Sequence, residues 1–282
     1  MPFNHIYILD ILFFYKMESF KFMLAPIEDM TSNALRFICH KYGADITFTE
    51  MVRFGSLSTN NASSWERITL KDKTPTVIQI IGHKGYDLKK FLSKFEPTPG
   101  FLGFNLNLGC PAPNVVNTGA GCAMVKRINK TRTLVNIIKK KKYGVSIKLR
   151  LGLNEFEKKK KVYLNLINSI NASFFVVHAR HGKQSYNEPA DFSVYQECVE
   201  TGKKIIANGD IKTVEQIESL KKIGVNGAMI GRLAILNPAI FNQLKGIASP
   251  PLDKVIKEYT ELTEKFDEPF RYRKNILKRN KV

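Results

Sequence analysis

The chain has 282 residues, enough for one large domain or one large and one small. Hydrophobic residues make up 44% and charged residues 24%, a balance that excludes a wholly disordered chain. Lys and Arg number 44 against 25 Asp and Glu, and the resulting net charge of +19 points either to a polyanionic partner or to a solvated lysine-rich surface.

The apolar stretch Ile6 to Tyr15 is interrupted by Asp10 and is too short to cross a bilayer, which takes about 20 residues. No basic segment precedes it and no small-residue cleavage site follows, so neither a membrane span nor a signal peptide is expected. Residues 1–20 read as an extension, with Met17 as a candidate natural start.

Short apolar runs then recur at intervals. They are Phe22–Ala25, Ile46–Thr49, Thr76–Ile81, Gly103–Leu106, Val145–Leu149, Phe174–Val177, Lys204–Ala207 and Gly227–Ile230. Runs of this length are expected of strands buried on both faces. Between them lie helical patterns at Asn33–Tyr42, Tyr86–Phe95, Thr131–Lys142 and Val214–Ile223, the first and last ended by Gly43 and Gly224. About eight β–α units in roughly 225 residues predict a (β/α)₈ TIM barrel. An open doubly wound sheet is the alternative, weakened by the lack of a GxGxxG fingerprint after the first strand. The barrel is placed at 21–241. Beyond it, Pro250 and Pro251 break the chain and Asp253–Phe266 reads as a polar helix. The end carries Arg271, Arg273, Lys274, Lys278, Arg279 and Lys281 without an acid, so 242–282 is expected to be a short helical appendage with a basic tail.

Barrel chemistry sits at the C-terminal ends of the strands. Here those ends are polar almost throughout: Pro26-Ile27-Glu28, Glu50, Gln79, Asn107, Lys148 with Arg150, His178 with Arg180, Asn208-Gly209-Asp210, and Gly231-Arg232. Lys148 lies inside an otherwise apolar strand, where an unpaired charge costs several kcal/mol. It either pairs with a strand-end acid such as Glu50 or faces an anionic ligand. Gln79 is either a satisfied core amide or a ligand contact, and His178 either a core residue or a ligand contact. Gly209 and Gly231 open the loops that hold phosphate in many barrels, and Arg232 adds charge there.

The four cysteines show no CxxC spacing, so neither a disulfide scaffold nor a metal site is expected, and reduced thiols in the cytoplasm are the simplest reading. Cys110 stands between Gly109 and Pro111 on the loop after the fourth strand. An ordinary thiol, with a pKa of about 8.5, is protonated at neutral pH and can donate a proton. Cys39 and Cys198 fall in helical stretches and read as core, whereas Cys122 stays open.

These residues resemble the tRNA-dihydrouridine synthases. The resemblance rests on Leu24-Ala25-Pro26, Thr31, Arg36, Gly43-Ala44-Asp45 and Thr49-Glu50-Met51, then Asn107-Leu108-Gly109-Cys110-Pro111 with Gly119-Ala120-Gly121. It continues through Lys148-Leu149-Arg150, His178-Ala179-Arg180, Gln184-Ser185-Tyr186, Asn208-Gly209-Asp210 and Gly231-Arg232. It runs from about Phe22 to Phe241. It implies an FMN-containing barrel that reduces a tRNA uridine to 5,6-dihydrouridine, with NADPH as reductant, hydride going to C6 and a loop cysteine protonating C5. On this chain Cys110 would be that acid. Pro26, Ile27, Glu28, Gln79, Lys148, His178, Asn208, Gly209, Asp210, Gly231 and Arg232 would hold FMN. Asn107, Arg180, Lys183 and Tyr186 would meet uridine or tRNA. Two features depart from the family pattern: Glu28 stands where small residues are common, and the C-terminal helical part is short. A monomer is expected. The competing functions are another FMN barrel, such as a dihydroorotate dehydrogenase, and an RNA-binding barrel without catalysis.

Overall fold

The structure, a computed structural model, describes residues 18–280; residues 1–17, including the proposed start at Met17, and the tail residue Lys281 lie outside the described residues. Nine parallel strands form one sheet: β1 (Lys21–Leu24), β2 (Thr47–Phe48), β3 (Val52–Arg53), β4 (Thr76–Ile81), β5 (Phe101–Leu108), β6 (Val145–Arg150), β7 (Phe175–His178), β8 (Ile205–Asn208) and β9 (Gly227–Ile230). Each strand from β4 onward pairs with the next, and β9 returns to β1. A bridge between Met23 and Ile46 completes the ring, with Leu24 N–H donating to Ile46 O at 3.0 Å. The expected (β/α)₈ barrel is therefore the observed architecture, and the open sheet is excluded.

The strand expected at Ile46–Thr49 is split. β2 pairs with the start of β4 and β3 with its end, so together they fill one barrel position. Two short helices after β3, Phe54–Ser58 and Ala62–Ile68, were not predicted from the sequence. The second begins where the Asn61 side chain accepts from Ser64 N–H at 2.9 Å, a local cap rather than an extended apolar stripe. β5 is longer than expected at both ends, because Phe101 and Leu102 join it before Gly103 and Asn107 and Leu108 after Leu106. Its pairing with β4 skips one residue at Leu102, and Gly103 makes the skip possible: a Cβ there would lie 2.7 Å from Gly144 O.

The barrel interior changes character along its axis. Met23, Ile46, Phe48, Val77, Leu102, Phe174, Val176, Ile206 and Met229 form an apolar plug. Further along the strands, two residues on in β4, β7 and β8 as the period of a strand requires and three in β5 because of the skip, the interior becomes polar, with Gln79, Asn105, Ser146, Lys148, His178 and Asn208. The outer faces, with Leu106, Leu108, Ile147, Leu149 and Val177, pack against the helices. Cys39 and Cys198 are fully buried there, as expected.

After β9 come the helices Arg232–Leu236, Ile240–Leu244, Leu252–Lys265 and Phe270–Asn280. The last of these corrects the reading of this segment as a basic tail. Tyr272 and Ile276 are buried, Tyr272 reaches Glu50, and Asn275 Nδ2 donates to the Asp29 carbonyl at 3.1 Å. It is an amphipathic helix docked on the strand ends of β1 and β2.

Candidate active site

Asn107, near the end of β5, organises the cysteine loop. Its Oδ1 accepts from Gly109 N–H at 3.0 Å and from Cys110 N–H at 2.9 Å, folding the chain back on itself. Its own Nδ2 donates to Gln79 Oε1 at 2.9 Å, Gln79 Nε2 donates to Asn105 Oδ1 at 2.8 Å, and Asn105 Nδ2 donates to Ser146 Oγ at 2.8 Å. This buried relay fixes the Asn107 amide. Gln79 is thus a satisfied core amide that orients the loop. On the far side, Cys122 N–H donates to Cys110 O at 3.0 Å. Gly121 adopts φ +56° there, and a Cβ would sit 2.3 Å from that oxygen.

The two cysteines of this loop differ. Cys110 is partly exposed, whereas Cys122 is buried and its thiol donates to Gly109 O at 3.1 Å. Burial pushes the Cys122 thiol up to about 12, so it props the loop and is a poor acid.

Lys148 lies directly opposite Asn107 in the β5–β6 register. Its Nζ donates to Asn208 Oδ1 at 2.9 Å, and Asn208 Nδ2 donates to Met229 O at 2.8 Å, which fixes the amide orientation. The pairing with Glu50 considered from the sequence does not occur: Glu50 is taken by Arg67 at 2.7 Å, by Asp29 N–H at 2.9 Å and by the Tyr272 hydroxyl. Among the described residues no carboxylate pairs with Lys148. Burial, aided by the Arg150 charge, lowers its pKa to about 7.

His178 closes the next strand end. It is nearly buried, and burial together with Lys148, Arg150, Arg180 and Arg232 holds the ring neutral by pushing its pKa far down. Arg180 Nη1 lies 3.2 Å from His178 Nε2. A guanidinium only donates, so Nε2 is the acceptor and Nδ1 carries the proton. Arg180 itself is fully enclosed, bonding Glu188 O, Tyr186 O and Asp210. It positions the 181–190 loop and is closed to direct contact with an RNA. Asp210, at φ 52°, accepts from Arg180, from Arg232 at 2.9 Å and from Ala190 N–H at 3.1 Å, so its carboxylate is committed to these donors.

Tyr186 and Lys183 are exposed, at the mouth. The Tyr186 ring stacks on His178 with centroids 6.0 Å apart, and the guanidinium groups of Arg232, Arg150 and Arg180 lie 4.7, 5.5 and 5.7 Å from it. Gly209, at φ +111°, lies so close to His178 that a Cβ would sit 2.9 Å from the ring. Gly231 precedes the short helix Arg232–Leu236, beside Ala25 and Ile27. Pro26 and Ile27 are half-buried, whereas Glu28 is exposed.

Thr49, Glu50, Met51 and Cys110 lie on adjoining loops of one barrel face, together with Lys148, His178 and Asn208 from β6 to β8. The family profile described as "Dihydrouridine synthase (Dus)" matches residues 23–281. The chain belongs to the dihydrouridine synthase family. This dihydrouridine synthase family member is an oxidoreductase. It is 33% identical over 256 residues to a Helicobacter pylori protein named "Probable tRNA-dihydrouridine synthase", an alignment covering 86% of this chain and 75% of that one. An Aquifex aeolicus protein of the same name is 27% identical over 258 residues, covering 86% and 80%. A human "tRNA-dihydrouridine(47) synthase [NAD(P)(+)]-like" is 27% identical over 229 residues, covering 80% of this chain and 35% of its own length.

Sequence reasoning missed three residues of this dihydrouridine synthase face. Tyr195 bonds Asn208 O at 2.8 Å and accepts from Asn208 N–H at 3.0 Å, locking β8, and nothing in its helical pattern marks that. Arg67 lies on an unpredicted helix. Asn105 could have been found, because it stands two residues before Asn107 on the same face. Among the described residues no group of three or more His, Cys, Asp or Glu could hold a metal ion, and no helix is long and apolar enough to cross a membrane.

Proposed function

We propose that this enzyme reduces a uridine of tRNA to 5,6-dihydrouridine, with FMN as bound cofactor and NADPH as electron donor. The observation that carries the reading is Lys148, a cation without a carboxylate, set opposite Asn107 and three residues from the Cys110 loop in the adjoining strand. Such a cation fits a cofactor that gains negative charge on reduction. The names of the relatives support tRNA as substrate and a nicotinamide as reductant.

The donor set fits FMN. Lys148 has two N–H bonds beyond the one to Asn208. His178 offers a neutral Nδ1–H, and Gly209 allows close approach at the next strand end. Pro26, Ile27, Gly231 and Arg232 line the neighbouring loops, where Arg232, exposed at the rim, would meet the phosphate. Glu28 stands outside this cradle. Bound FMN would supply the hydride that goes to C6 of the uracil. Cys110 would deliver its thiol proton to C5, and solvent would reprotonate the thiolate at this partly exposed position. Asn107 would hold the cysteine backbone in register for that transfer. Arg180 and Asp210 would brace Tyr186 and Arg232, and Lys183 and Tyr186 would meet the RNA at the mouth. In this reading residues 21–241 are the FMN-binding barrel, 242–282 the appendage, a cytoplasmic location is proposed in keeping with four free cysteines among the described residues, and a monomer is proposed.

The test is direct. Purified protein loaded with FMN, given NADPH and an unmodified tRNA transcript, should form 5,6-dihydrouridine. Flavin uptake without any dihydrouridine would refute the substrate assignment, and no flavin uptake would refute the cofactor.

A further inference from the structure

Among the described residues four aromatic rings are exposed: Tyr86, Phe156, Tyr186 and Phe270, at 75%, 67%, 56% and 71%. Two of them bracket the cysteine loop. Tyr86 is in the first turn of the helix Gly85–Leu92, which follows β4. Phe156 is in the first turn of the helix Glu155–Lys159, which follows β6. Cys110 follows β5, the strand between them. In barrel order one ring is therefore carried by the element on each side of the thiol's loop, at the same end of the barrel.

Both rings sit among cations. Burial, and after it the charges of Lys130, Lys84 and Arg127, lowers the pKa of His83, three residues before Tyr86. Lys160 Nζ lies 5.8 Å from the Phe156 ring centroid. The acids nearby are few. Glu157 is engaged by Lys126 at 2.8 Å, Glu155 faces Lys159 at 4.0 Å and His181 at 3.6 Å, and Asp87 shares the Tyr86 turn. Isolated rings interleaved with cations make no contiguous apolar patch of the kind a protein partner covers. They match the stacking platforms and phosphate-tracking charges of single-stranded nucleic-acid sites.

We infer that Tyr86 and Phe156 are stacking platforms for the two RNA bases flanking the uridine that enters the Cys110 site. A base acted on inside a pocket must leave its stack. Its neighbours each lose a stacking face, and a ring on either side of the entrance replaces it. The inference rests on the tRNA reading above and adds the residues that hold the strand open.

The test uses the FMN-loaded protein and an unmodified tRNA transcript, with affinity and dihydrouridine formation measured separately. Tyr86→Ala and Phe156→Ala should each weaken tRNA binding by about tenfold, the order expected for loss of one stacking ring, and raise KM with little change in kcat. Flavin content and NADPH oxidation without tRNA should not move. Tyr86→Trp and Phe156→Trp should keep wild-type affinity and show tryptophan fluorescence quenched by tRNA, whereas Tyr86→Leu and Phe156→Leu should behave like the alanine variants. Alanine variants binding within twofold of wild type, or leucine matching tryptophan, would overturn the inference and leave the proposed activity standing. Loss of binding in the alanine variants of a protein that forms no dihydrouridine would support the platforms and refute the activity. A wild-type protein that does not bind tRNA would overturn both.

Discussion

The Tyr272 hydroxyl donates to the Glu50 carboxylate, joining the last helix to the end of the second barrel position across 222 residues of sequence. Glu50 is almost fully enclosed, and Arg67 Nη1 at 2.7 Å is its charge partner. Removing one partner of a buried pair strands the other charge. Arg67→Met should therefore destabilise the protein by about 3 kcal/mol in urea unfolding, the lower end of the range for a buried pair because Arg67 is partly exposed. Tyr272→Phe should cost about 1.5–3 kcal/mol by the same measurement, the value for a hydrogen bond to a charged group. No change in either midpoint would show that the cluster contributes nothing to stability.

The same anchor changes how the basic C-terminal segment must be tested. Truncation before Arg271 would remove the buried Tyr272 and Ile276 along with the charges. Lys274, Lys278 and Arg279 are exposed on that helix, and their combined replacement by Gln leaves the packing in place. If they meet phosphates, the slope of log K against log salt should become shallower by about 0.7–0.9 per lost contact. An unchanged slope with unchanged affinity would place the RNA elsewhere on the face.

Cys110→Ala should retain FMN and oxidise NADPH, yet lose roughly 10²–10⁴-fold in uridine reduction, the usual contribution of general acid catalysis. Cys122→Ala should cost far less activity, because that thiol is buried against Gly109 O. Mass spectrometry of dihydrouridine in the tRNA product reads both variants. Equal product from Cys110→Ala and wild type would mean that another group delivers the proton.

Lys148 makes a prediction about pH. Its pKa of about 7 in the folded protein, lowered by burial and the Arg150 charge, lies below the unfolded lysine value of about 10.4. Below about pH 7 both states carry the proton and the native state bears the whole penalty; above about pH 10 both are neutral and the penalty is gone. Stability contributed at this site therefore rises with pH across that window. In the apoprotein Lys148→Met should be stabilising near pH 7, with the difference in urea midpoint from wild type shrinking toward pH 10. A difference that does not vary with pH would show Lys148 to be an ordinary surface lysine.

Much of this arrangement was legible before the fold was known, and the reasons are local. Lys148 and Gln79 stand out because a charge or an amide inside an apolar run must be satisfied by something. Cys110 stands out because glycine and proline flank it. What was hidden depends on contacts distant in sequence. Nothing near Arg180 shows that Glu188 O, Tyr186 O and Asp210 will close around it, converting an expected RNA contact into a brace. Nor does the run of cations after Phe270 reveal that Tyr272 and Ile276, at helical spacing, will turn it into a docked helix. From the sequence Gln79 is either a core amide or a ligand contact, because its two amide bonds lead to the neighbouring strand and only pairing exposes them.

The skipped pairing at Leu102 has a consequence for the whole reactive face. Inward residues along a regular strand share parity, yet β5 points Leu102 inward and then Asn105 and Asn107. One residue has been inserted between an even and an odd register, and Gly103 absorbs it. Without that insertion the Leu102 phase would carry on through Phe104 and Leu106, filling the polar layer with hydrocarbon and sending both asparagines toward the helices. The amide relay and the thiol loop it sets would then face away from Lys148. Which face of β5 meets the chemistry of this barrel is thus decided seven residues upstream of Cys110, at Gly103, by a single-residue phase shift that carries no functional group of its own.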